Sequence, residues 1–81
     1  MTTKTDQNLE QLIEEFKHAS RVADSAVIAA VHYRRKILAM DITANIDAAT
    51  DLLATLAAAE EQVTLTAVIR DAAAQRLSEA V

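Results

Sequence analysis

The sequence predicts an all-α antiparallel helical hairpin, and three observations carry that prediction. The chain contains no Gly, no Pro and no Cys; eighteen of its 81 residues are alanine; and its first half holds an unbroken seven-residue apolar repeat. Without Gly or Pro the punctuation of β-hairpins and tight turns is missing, whereas Ala, Leu, Glu, Gln and Arg favour helix. The length allows one domain, 1–81, near the size at which an isolated core is marginal. A chain this short buries about 60–65% of its unfolded surface.

The first helix is expected over residues 8–39, after a flexible N-terminus at 1–7. Leu9, Phe16, Ala23, Ala30 and Ile37 are spaced by seven, and Leu12, Ala19, Ala26, Tyr33 and Met40 follow each of them by three. All ten are apolar or aromatic, which is the seam of a coiled coil. The middle of that seam is alanine, so a partner helix can approach closely there. Asp6 or Asn8 suits the helix start, and Arg34, Arg35 and Lys36 suit the negative end of the helix dipole.

The stretch "MDITANID" then supplies Asp41, Thr43, Asn45 and Asp47, all turn or capping residues. It predicts a turn at 40–45, with Thr43 or Asn45 capping a second helix over 44–79. In the second segment Ile42, Ile46, Ala49, Leu53 and Leu56 mark one apolar phase, which meets Glu60 where another apolar residue is due. A new phase follows with Leu65, Val68, Ile69, Ala72, Ala73, Leu77 and Ala80. The change predicts a stutter or a break near 61–66. One bent helix is the favoured form, because Val63, Thr64 and Thr66 lower helix propensity only slightly.

A lone two-helix hairpin has one contact seam and cannot enclose a core. The run "AVIAAV" at residues 26–31 therefore needs cover on more than one side. Ala23, Ala26 and Ala30 serve the seam, which leaves Val22, Val27, Ile28, Val31 and Leu38 as the expected partner-binding residues. The alternative is a three-helix monomer that wraps this point. Self-association or a partner protein would complete the hairpin otherwise.

Net charge is −4, divided as +1 over residues 1–40 and −5 over 41–81, a difference that favours an antiparallel pairing. It argues against a general nucleic-acid binder. The cluster His32, Arg34, Arg35 and Lys36 is the one candidate anion or nucleic-acid patch, and helix-dipole complementarity explains it without a ligand. Glu15 and His18 have the E-x-x-H spacing of helical di-metal sites. Such sites need two copies and two more carboxylates, so no metal or other cofactor is expected. Neither histidine has a Ser or Asp partner at a suggestive spacing and no cysteine exists, so no catalytic residue is assigned and no enzyme is expected. The polar start "MTTKTDQNLEQ" lacks the apolar core of a secretory signal, and no apolar run is expected to approach the roughly 20 residues of a membrane span. The expectation is a cytoplasmic protein without a membrane span.

The polar "MTT" start, "LEQLIEEF", the basic end of the first helix, the short polar turn and "LLATLAAAEEQV" (Leu52 to Val63) form a recognisable layout. It resembles the small E-type co-chaperones of type III secretion systems, chiefly through Leu52, Leu53, Leu56, Ala59 and Glu60. That resemblance spans most of the chain. It implies a helical hairpin that binds and stabilises a tetratricopeptide-like chaperone, the two together keeping a needle subunit soluble until export. The sequence therefore predicts a non-enzymatic protein–protein interaction module, a co-chaperone or comparable accessory subunit in protein secretion. The alternative is a homodimeric four-helix-bundle regulator or inhibitor acting on protein or nucleic acid.

Overall fold

A computed structural model describes residues 3–81, with side-chain surroundings from Asn8 onward. Two helices, α1 (Thr3–Ala39) and α2 (Ile46–Ala80), pack against each other as an antiparallel hairpin. At 1.5 Å per residue they run about 55 and 52 Å. α1 begins five residues before the expected start at 8, and the part of the expected flexible terminus at 1–2 lies outside the described residues. α2 begins at Ile46, two residues later than expected, and is continuous through 61–66.

The predicted seam of α1 is the observed one. Leu9, Leu12, Phe16, Ala19, Ala23, Ala26, Ala30, Tyr33, Ile37 and Met40 are all buried or half-buried. Ala23 is only 3% exposed, and no side chain among the described residues is completely buried. Small seam residues let the helix axes come toward the low end of the usual 8–10 Å separation.

The seam of α2 differs from the expected one. Its inward residues are Ala49, Leu52, Leu56, Ala59, Val63, Thr66, Arg70, Ala73 and Leu77, which alternate by three and four without a stutter. Ile42, Ile46, Leu53, Leu65, Val68 and Ile69 point outward. The expected change of phase arose from following the largest apolar residues, which lie off the seam. The true stripe is smaller and runs through a threonine and an arginine, but it has no gap at Glu60, and continuous contact along the helix favours it.

Local hydrogen bonds make those polar residues tolerable. The Thr66 hydroxyl, in a residue 6% exposed, donates to the Gln62 carbonyl at 2.6 Å. Thr50, Thr55 and Thr64 donate in the same way to the carbonyls of Ile46, Asp51 and Glu60. The threonines so satisfy themselves within the helix and do not end it. Arg70 is half-buried, and its Nε lies 3.6 Å from Asp71 Oδ1 while its stem covers the seam.

The turn needs no glycine, since no residue there has a positive φ. Asp41 Oδ1 accepts hydrogen bonds from Thr43 Oγ1 at 2.8 Å and from the Ala44 amide at 3.4 Å. The Asn45 amide donates to the Asp41 carbonyl at 3.2 Å. Asn45 is the N-cap of α2, although its side chain makes no capping bond, and Asp47 in the first turn complements the helix dipole.

α2 is also long and apolar enough to cross a membrane: an 18-residue window has mean hydropathy 1.4, and 6% of it is buried. The stretch between Asp51 and Arg70 carries Glu60 and Glu61 near its centre. Each charge at mid-bilayer costs about 2.5–3.5 kcal/mol, so the composition marks an apolar surface more readily than a span.

Two outcomes test this packing. Ala23→Leu should destabilise the hairpin by about 1–3 kcal/mol in urea unfolding followed by circular dichroism, whereas Ala57→Leu on the exposed side should stay within about 0.5 kcal/mol. The turn bonds hold the Asp41 carboxyl below its ordinary value, chiefly through Thr43 and then the Ala44 amide. A depressed folded value means the stabilisation is full above the unfolded value of about 4 and is lost as pH falls through the folded one. The melting temperature of wild type should therefore exceed that of Asp41→Asn at pH 7, and the difference should shrink below about pH 4.

Candidate interaction surface

The residues expected to bind a partner are all exposed, but they do not share one face. Val22 is 41% exposed, Val27 46%, Ile28 70%, Val31 41% and Leu38 78%. Antiparallel pairing gives the hairpin two flanks, each formed by both helices. Val27 and Val31 lie on one flank beside Arg34, Glu60, Val63 and Thr64. Val22 lies on the other, in a groove of about 520 Å³ with His18, Ile69, Ala72 and Arg76. Ile28 stands on the outer side of α1 next to Val27, Val31, His32 and Arg35, so it extends the Val27 face. The seven-residue spacing places Leu38 on that face as well, one helical repeat beyond Val31.

Sequence reasoning missed the contribution of α2. Leu65, Val68 and Ile69 are 47%, 62% and 59% exposed, and Ile46 and Leu53 are 65% and 54%. Helical register puts Leu65 and Ile69 with Val22, and Ile46 and Leu53 with Val27 and Leu38. The signal was available: once the seam runs through Thr66 and Arg70, these residues have to lie outside it.

One ion pair marks each flank. Arg34 Nη2 meets Glu60 Oε2 at 2.8 Å on the Val27 side, and Arg76 Nη1 meets Glu15 Oε2 at 3.0 Å on the Val22 side. Such cross-helix pairs fix register and rotation more than they add stability, because exposed pairs are worth about 0.2–1 kcal/mol. They also change two sequence readings. Arg34 of the basic cluster also pairs with Glu60, and the His32 ring of that cluster sits edge-on to Tyr33 at 5.5 Å. Glu15 of the E-x-x-H pair is engaged by Arg76, and the described residues contain no group of three or more His, Asp or Glu able to hold a metal ion.

The hollows that both helices line are open grooves along the line where the helices meet. The second, of about 460 Å³, lies at the open end of the hairpin between Leu9, Leu12 and Ala80. Such grooves accept side chains from a neighbouring helix more readily than they enclose a small molecule.

Reversing one charge should expose the role of the ion pairs. Arg34→Glu should lower stability, and Arg34→Glu with Glu60→Arg should recover most of the loss. The coupling energy should be about 0.2–1 kcal/mol in a double-mutant cycle, and should diminish in 1 M salt.

Comparison of the chain with protein-family models, with curated proteins and with solved structures finds no match.

Proposed function

We propose that the chain is a non-catalytic protein–protein interaction module, an accessory subunit whose Val27 face packs against the helices of a partner protein. One observation carries this reading. Among the described residues twelve large apolar side chains are at least 41% exposed and none is completely buried. A monomer seldom leaves so much apolar surface in continuous stripes unless another surface covers it.

The shape suits helical partners. Val27, Ile28, Val31 and Leu38 recur at one, three and seven residues along α1, a stripe that an amphipathic groove between partner helices receives. A tetratricopeptide-like chaperone presents grooves of that kind, and the resemblance to secretion co-chaperones points to such a scaffold. In this reading the chain is cytoplasmic. Binding would also offset the marginal stability of a hairpin with one seam.

Ile28→Ala tests the assignment. The partner is captured from the native host on tagged chain and identified by mass spectrometry, and its affinity is then measured for both forms. The substitution should weaken binding by about 1–3 kcal/mol if Ile28 is a central contact. The melting curve of the free chain should hardly change, because the side chain is 70% exposed. Unfolding of the free chain with unchanged affinity per folded molecule would show Ile28 to be core and would sink the proposal.

A further inference from the structure

The two flanks of the hairpin differ in charge, and the difference identifies an occupant for one of them. The Val27 face carries Lys17, Asp24, Arg34, Glu60 and Asp71 among its apolar residues. Along the Val22 face α1 offers His18, Val22, Ser25, Ala29 and His32, and α2 offers Thr55, Ala58, Gln62, Leu65, Ile69 and Ala72. The central part of that face holds no Lys, Arg, Asp or Glu; the Glu15–Arg76 pair closes one end, and Lys36 and Asp51 lie beyond the other. Depletion of charge at the centre with charges at the rim is the pattern of a protein interface.

The face is also self-complementary. His18, Ser25 and His32 are spaced by seven, so they lie on one line of α1 with Ser25 at its midpoint. Val22 and Ala29 lie on either side of Ser25, and the register of the two ion pairs places Ile69 and Leu65 on either side of the same level of α2. A two-fold axis at Ser25 sets Val22 of each copy over Ala29 of the other and brings Leu65 of each copy beside Ile69 of the other. The same axis brings His18 of one copy toward His32 of the second.

The surface areas agree in size. The chain exposes 6142 Å², against about 4,800 Å² for a compact monomer of its mass. Two free copies expose about 12,300 Å², and a compact body of twice the mass exposes about 7,900 Å². The gap of about 4,400 Å² is an upper limit shared by both flanks, and it exceeds the roughly 2,000 Å² at which obligate homodimer interfaces begin. The net charge of −4 does not oppose this contact at short range, because the acidic residues lie off the centre of the face.

We propose that the Val22 face closes on the same face of a second copy, giving a four-helix bundle with its two-fold axis near Ser25. The Val27 faces then point outward on both sides, where they stay accessible to the partner protein proposed above. The inference does not depend on that partner.

Purified chain tests it by light scattering during size-exclusion chromatography. Wild type should elute at twice the 8.8 kDa chain mass at low micromolar concentration. Ile69→Asp should shift the mass to the monomer with helical circular dichroism retained, and Val31→Asp on the other face should leave the dimer intact. A second measurement does not depend on Ile69→Asp folding. The chain has no cysteine, so Ser25→Cys should form covalent dimers with a short bismaleimide, while Ala57→Cys on the Val27 face should not. A wild-type monomer at 100 µM would overturn the proposal and leave the face to a different chain or a lipid surface. Dissociation by Val31→Asp but not Ile69→Asp, or cross-linking at Ala57→Cys but not Ser25→Cys, would overturn it too. Failure of these experiments would leave the Ile28 binding test untouched.

Discussion

The structure depends on how closely two long helices approach along an alanine seam. Ala19, Ala23 and Ala30 on α1 and Ala49 and Ala73 on α2 are each at most 8% exposed. Side chains this short bring the backbones together but contribute little apolar volume. The result is a rod of 68 × 14 × 13 Å with a radius of gyration of 18.6 Å, against about 12 Å for a compact domain of this length. Burial is spread thinly along the rod, so stability comes from many small contacts and from uninterrupted register.

That constraint explains where the larger residues go. An isoleucine or leucine turned into the middle of the seam would hold the axes apart and break the alanine contacts on either side. Leu65, Val68 and Ile69 are accordingly displaced outward, while Thr66 and Arg70 take the seam. The threonine hydroxyl is satisfied by its own helix, and the arginine lays a flexible stem along the contact and puts its charge at the edge. The ion pairs at Arg34–Glu60 and Glu15–Arg76 sit on opposite flanks, so together they resist rotation of α2 in either direction.

How much of this was legible follows from the same point. The all-α class, the turn near Asp41–Asn45 and all ten seam residues of α1 could be read from the sequence, because there apolar residues and inward residues coincide. In α2 they do not. Periodicity is read by weighting large apolar side chains, and that weighting favours Ile46, Leu53, Leu65 and Ile69 over Thr66 and Arg70. The error placed a change of phase near 61–66, although one continuous helix was the favoured form and is the one observed. It also hid half of the exposed surface: with those residues assigned to the seam, only the α1 residues from Val22 to Leu38 remained as candidates. The division of those five between two flanks was implicit in the α1 seam, since Val22 precedes Ala23 and Val27 follows Ala26, but which α2 residues join each flank needed the register that the ion pairs report.

A hairpin with apolar residues on both flanks has a different logic from an amphipathic pair with one. With one apolar flank, covering it ends assembly, since the outer side is polar. Here covering either flank leaves the other open, and the flanks are not equivalent. The Val22 side is uncharged at its centre, which suits a surface that meets its own copy. The Val27 side carries charges of both signs among its valines, and mixed charge supplies specificity by penalising wrong partners. Self-contact on the first flank would display two copies of the second in opposite directions. One bundle could then engage two partner molecules, with no catalytic group required of either helix.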